Sequence, residues 1–160
     1  VLFLGNQLWY EGLVMANEQA IINIQALTAR YAEAADRRDV NLLLSTVTAD
    51  AEVVMPGSAM KGHEVLSGIP AILDSMFEKT QHKIFNQTLS INGNRAEGET
   101  YCTASHLRVK EDGTREVEDW AIRYQDRLVC VDAVWLFERR ELVVDWVEIR
   151  PAMLFGEQFA

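Results

Sequence analysis

The pattern of apolar and polar positions divides the chain into a helical first half and an extended second half. From Asn17 the run NEQAIINIQALTARYAEAADRRD has helical spacing, with Asn17 as an N-cap, Glu18 and Gln19 in the first turn, and no Gly or Pro inside it. At about 100° per residue, Gln19, Asn23, Arg30, Glu33 and Arg37 gather on one stripe, and Ile21, Ile24, Thr28, Tyr31, Ala32 and Ala35 lie opposite. The first stripe is expected to face water and the second a core. Asp36 falls on the flank of the packed half, beside Ala32 and Ala35.

Beyond this helix, DVNLLLST (39–46) predicts a short second helix and AEVVMPG (51–57) a strand closed by Pro56 and Gly57. A loop containing Gly62 leads into HEVLSGIPAILDSMFEKT, helical in spacing, with Pro70 marking the first turn of the helix proper. The period then changes to two. HKIFNQTLSI, RAEGETYCTASHLRV, VEDWAIRYQDRLVCV and VWLFERRELVVDWVEI read as four long antiparallel strands, with turns at NGN and EDGT between them. Helices followed by a meander is an α+β order, with the helices covering one face of a curved sheet. No repeat, low-complexity tract or linker interrupts it. Residues 17–150 therefore read as one domain, with residues 1–16 an N-terminal arm packing on the domain or on a neighbouring subunit, and 151–160 a C-terminal tail.

Strand alternation points to a cavity. In RAEGETYCTASHLRV the even set is Ala96, Gly98, Thr100, Cys102, Ala104 and His106, a small and nearly apolar face ending in a histidine. In the preceding strand His82, Ile84 and Asn86 share a face. Small residues beneath a covering helix leave room for a ligand, and both strands can present a histidine to it.

Composition narrows the partners. At 160 residues and 49% hydrophobic, the chain can bury a core and still keep a pocket. The net charge is −9 and the fifteen Lys and Arg are scattered, so no basic stripe exists for nucleic acid or an anionic membrane surface. Cys102 and Cys130 lie in strand-like runs with no zinc spacing, which predicts free thiols and a reducing, cytoplasmic compartment. The opening VLFLGNQLWYEGLVM is apolar but lacks a basic flank, is broken by Gly5, Glu11 and Gly12, and is too short to span a bilayer.

Only three histidines are present. An imidazole titrates near neutrality, and a carboxylate accepting one ring N–H fixes its tautomer and raises its basicity. Asp36 paired with His82 would make a general base, with His106 acting as a general acid or holding a water or leaving hydroxyl. Other readings stand beside this one: a strand histidine is commonly a satisfied structural residue, and Asp36 can pair with Arg37, Arg38 or solvent. Two histidines and a carboxylate are also the inventory of a non-haem iron site, but the usual short-range His-x-Asp/Glu pair is absent. Neither metal nor cofactor is expected. His63, in KGHE, is expected to be exposed and without a role. Trp120, Tyr124, Trp135, Phe137 and Trp146 alternate along the last two strands as core or subunit interface, with Trp120 and Tyr124 as pocket candidates. Tyr31, on the packed face near Asp36, can offer a phenol to a substrate oxygen.

A long helix ending AADRRD, then DAEVVMPG, KGHE, TQHKIFNQ, AEGETY and VWLFERRELVVDW resembles the SnoaL-like domains of the nuclear transport factor 2 superfamily over residues 17–150. The resemblance implies a cone-shaped α+β barrel: N-terminal helices packed on a strongly curved, mostly antiparallel sheet enclosing one pocket. It also implies association through the outer sheet face as a homodimer or homotrimer. In site residues the chain is most similar to the scytalone dehydratases, where an aspartate ending the first helix orients a histidine opening the second strand. Asp36 and His82 take those places, and His106 matches a second histidine on the next strand. Bile acid 7α-dehydratases place a tyrosine five residues before the aspartate, as Tyr31 stands here. The departures are Ala35 and Met55, which replace two tyrosines that hold a substrate-binding water, so a different substrate is implied. The expectation is a cofactor-independent lyase or isomerase on a small apolar cyclic or aromatic substrate. The alternative is a non-catalytic small subunit beside a larger ring-hydroxylating dioxygenase subunit, or a ligand-binding module.

Overall fold

The computed structural model describes residues 2–156, with side chains from Asn17 onward. Helix α1 (Leu2–Arg37) and the short α2 (Val40–Leu44) precede β1 (Val47–Met55) and β2 (Ser58–Lys61). Then come α3 (Gly62–Leu66), α4 (Ile69–Met76) and the long strands β3 (Lys79–Asn92), β4 (Arg95–Val109), β5 (Arg115–Val131) and β6 (Val134–Ala152).

Helix α1 starts well before Asn17, so Asn17 is interior rather than a cap. Gly5 and Gly12 are each unfavourable by about 1 kcal/mol relative to Ala, too little to end a helix with good formers around them. What the side chains of the first sixteen residues pack on lies outside the described residues. Ile24, Leu27, Thr28, Tyr31, Ala34 and Ala35 are buried as a stripe. Ile21, expected on that stripe, is 38% exposed.

The end of α1 is tightly specified. The Asp39 N–H donates to Ala34 O at 3.0 Å and the Arg38 N–H to Ala35 O at 3.3 Å, the two bonds of a Schellman turn. Arg38 takes the left-handed position of that turn with φ 57°, where glycine is the residue without a steric penalty. Asp39 then caps α2, its carboxylate accepting from the Leu42 N–H at 2.9 Å.

The six strands form one open sheet in the order β2-β1-β6-β5-β4-β3. Among the described residues, only β1 and β6 pair in parallel. The hairpin strand β2 was not anticipated, and the helical stretch after Gly62 is two helices, with Pro70 in the first turn of α4 as expected. The first helix packs on the sheet, chiefly on β3, and α4 lies against that helix, consistent with a cone. Strand β6 runs to Ala152, into the segment expected as a tail; residues 157–160 lie outside those described. Among the described residues no helix is long and apolar enough to cross a membrane.

Bulges bend the long strands and shift the parity of their side chains. Phe85 and Asn86 together face Tyr101, since Ile84 pairs with Cys102 and Gln87 with Thr100. Glu138 is the extra residue where Leu128 pairs with Phe137 and Arg127 with Arg139. Asp145 is the extra residue where Ala121 pairs with Trp146 and Ile122 with Val144. Each bulge moves a residue off the face that simple alternation assigns it.

Candidate active site

The strand rungs assemble the site. Thr80, His106 and Glu118 pair across β3, β4 and β5, and the next inward rung is His82, Ala104 and Trp120. Ala104 is fully buried. Asp36, at the end of α1, comes down onto the first of these strands. Its Oδ1 accepts from His82 Nδ1 at 2.7 Å and from the Thr80 hydroxyl at 2.9 Å. Its Oδ2 accepts from the His82 backbone N–H at 2.8 Å.

Burial alone would raise the Asp36 carboxyl; hydrogen bonds from the His82 ring, the His82 backbone and Thr80 outweigh it, so the group lies below the usual carboxylate range. An ionised carboxylate only accepts, so Nδ1 carries the proton and the neutral ring keeps its lone pair on Nε2. The tautomer follows from the bonding pattern.

His82 opens onto a cavity of about 270 Å³, near the lower end of the range for small-molecule sites. Tyr31, Met55, His106, Trp120 and Tyr124 line it, together with Ala35. Asn86 does not: the bulge turns it to solvent and brings Gln87 inward instead, where Nε2 donates to Thr100 Oγ1 at 2.8 Å and Thr28 Oγ1 at 3.1 Å. No Asp, Glu, Lys or Arg is among the lining residues. The opposite wall, from α4, is apolar, formed by Ile69, Ile72, Leu73 and Met76.

The two histidines differ in kind. His106 is 4% exposed, stacked on Phe77 with ring centres 4.4 Å apart and edge-on to Trp120 at 4.8 Å. Its Nδ1 is buried without a hydrogen-bond partner. Burial pushes its pKa down to about 4, so His106 is neutral near pH 7. The rings of the two meet edge to face at 5.9 Å. Trp120 is steadied by its indole N–H, which donates to Glu118 Oε2 at 3.3 Å.

Sequence reasoning missed the buried charge beneath the cavity. Arg140 is fully buried and donates to Asp126 through Nε at 2.8 Å and Nη2 at 2.7 Å. Its guanidinium lies 3.9, 4.2 and 4.5 Å from the ring centres of Phe137, Tyr124 and Tyr31, a cation–π arrangement. Burial works against the Arg140 charge and Asp126 more than offsets it. Burial raises the Tyr31 and Tyr124 phenols, so both keep their protons and can donate. Phe77 was also missed; a lone aromatic closing an amphipathic helix was the available signal.

The remaining candidates sit elsewhere. His63 is half-buried, not exposed, its Nε2 3.3 Å from the Val47 carbonyl. Cys102 is buried and Cys130 partly so, both free, and burial pushes the Cys102 thiol up to about 11. Trp135 and Phe137 are core, whereas Trp146 is 65% exposed. Among the described residues no group of three His, Cys, Asp or Glu side chains is arranged to hold a metal ion.

Comparison with known proteins places this geometry in context. The SnoaL-like domain family matches residues 19–141. A candidate scytalone dehydratase from Novosphingobium aromaticivorans superposes with a TM-score of 0.76 at 23% identity, over 90% of this chain and 98% of that one. A type 2 hexachlorocyclohexane dehydrochlorinase gives 0.78 at 21% identity, over 89% and 96%. A candidate aromatic ring hydroxylase from N. aromaticivorans gives 0.69 at 20% identity, over 82% and 92%. At these identities the likenesses establish the fold. No protein of curated function matches the sequence.

Proposed function

This chain belongs to the SnoaL-like domain family, of the nuclear transport factor 2 fold, and on that premise we propose that it is a cofactor-independent lyase or isomerase using Asp36 and His82. The observation that carries the reading is the double engagement of His82 by the Asp36 carboxylate at the wall of an apolar cavity. With Nδ1 committed to Asp36, Nε2 takes a proton from a carbon beside a carbonyl. The C–H electron pair moves into an enolate, and the new imidazolium is held by the Asp36 charge.

In the lyase direction the enolate electrons return to expel a β-oxygen, which takes the proton back from His82 and leaves as water. In the isomerase direction the same proton returns to a different carbon. Because His106 is held neutral, hydrogen bonding to the substrate oxygen suits it better than delivering a proton as an imidazolium. The protonated Tyr31 phenol can share that oxygen. A cavity of this size, apolar and without a charged lining residue, suits a small neutral cyclic or aromatic substrate.

The test is hydrogen–deuterium exchange at the α-carbon of 1-indanone and 1-tetralone in D₂O, followed by proton NMR. The native protein should accelerate exchange and His82→Ala should lose it while melting normally. Acceleration retained in His82→Ala would remove His82 as the base.

We also propose that the chain forms a homo-oligomer through the outer face of its sheet. Trp146 and Tyr101 support this: both lie on the side of the sheet away from the cavity, 65% and 43% exposed, where solvated aromatics are costly to leave uncovered.

A further inference from the structure

We propose that Arg38 is a positioning residue for the Asp36–His82 pair, acting through the hydroxyl of Thr80; this rests on the reading of that pair as the reacting dyad. Arg38 Nη1 donates to Thr80 Oγ1 at 2.7 Å and to Ala35 O at 2.6 Å. A guanidinium nitrogen can only donate, so the Thr80 oxygen accepts there and its own proton must point elsewhere. The acceptor in reach is Asp36 Oδ1, at 2.9 Å. The direction of the chain is thereby fixed: Arg38 to Thr80, Thr80 to Asp36, and His82 Nδ1–H to the same carboxylate oxygen.

The backbone supports a role for the side chain. Arg38 stands at the one position of the helix-ending turn that favours glycine, and a strained conformation of this sort persists where the surrounding structure keeps it in place. The left-handed turn is what folds the Arg38 side chain back across the end of α1 toward β3. Neither Arg38 nor Thr80 is among the cavity-lining residues. They act on the carboxylate and not on a ligand.

A purely structural Arg38 would cap α1 through Ala35 O, and its replacement would alter melting without altering His82. The two roles separate by NMR of protein labelled with ¹⁵N-histidine. In the native protein His82 should show an Nδ1–H proton that exchanges slowly with water and is displaced downfield. Arg38→Gly, Arg38→Met and Thr80→Val should each lose that resonance or move it upfield while the protein still melts cooperatively, and Arg38→Lys, which keeps a donor, should retain it. Glycine suits the turn and methionine keeps the bulk, so if either Arg38 variant fails to fold the other supplies the comparison. An unchanged His82 resonance in the folded Arg38 variants would overturn the proposal. The readout needs no turnover: loss of the resonance with no ketone exchange by the native protein would sustain the positioning role and remove the reaction.

Discussion

The Asp36 carboxylate engages His82 twice, at the ring Nδ1 and at the backbone N–H, across 46 residues of sequence. Two points of attachment fix both the rotation of the carboxylate and the plane of the imidazole. Asp36→Asn keeps the size and much of the bonding but no longer holds an anion against Nδ1. α-Carbon exchange by this variant is expected to fall by about 10²–10⁴-fold, the usual contribution of a positioned base, with little change in melting temperature. An unaltered rate would take Asp36 out of the mechanism.

His106 makes stability depend on pH. Its folded pKa of about 4 lies below the ordinary value of 6.5, so the unfolded chain binds more protons between those values and stability rises with pH across that window. The contribution is complete above about pH 6.5 and is lost as pH falls toward 4. At about 1.4 kcal/mol per pH unit, the gap corresponds to roughly 3 kcal/mol. Urea titrations from pH 7.5 to 4 should show this slope in the native protein and a flatter profile in His106→Phe. Equal slopes in the two would mean that His106 does not titrate as its burial requires.

Arg140 and Asp126 form a buried pair that neither partner can leave alone. Arg140→Met strands the Asp126 carboxylate in the core and is expected to destabilise the fold by about 3–5 kcal/mol, measured by urea denaturation. A loss below 1 kcal/mol would indicate that water reaches Asp126.

The bulge in β3 gives neighbouring residues opposite sensitivities. Asn86→Ala changes an exposed side chain and should stay within about 0.5 kcal/mol of the native stability. Gln87→Ala removes two hydrogen bonds from buried threonine hydroxyls and should cost about 1–3 kcal/mol. The reverse ranking in thermal melts would mean that the strand keeps simple alternation in solution.

Trp146→Glu tests the outer face. Light scattering should find the native protein as a dimer or trimer and this variant shifted toward monomer, with the cavity unaffected. A native protein that is monomeric at all concentrations would leave Trp146 without a partner.

Much of the site was legible because its parts sit at element boundaries that local sequence marks well. Asp36 ends a helix whose stripes can be counted, and His82 and His106 lie on strands whose small residues declare an inner face. Two of the misses share one cause. Asn86 was assigned inward and Arg140 was hidden in the charged run ERRE; Asn86 lies in a bulge and Arg140 just beyond one, where two residues occupy one position of the ladder and the parity reverses. A bulge responds to strain in the whole curved sheet, so a count along one strand does not contain it. The Arg38–Thr80 link was hidden for another reason: a left-handed arginine is set by the turn it closes, and nothing in ADRRD distinguishes Arg37 in solvent from Arg38 against the strand.

The displaced pair Phe85–Asn86 also matters on the other side of β3. This strand ends the sheet and is 14 residues long, a length at which a flat row of unpaired N–H and C=O groups invites another copy to add a strand of its own. The kink divides that row into two shorter stretches, with Lys79 and Lys83 on one of them. The distortion that reorients Gln87 thus also leaves this edge of the sheet a poorer template for an added strand.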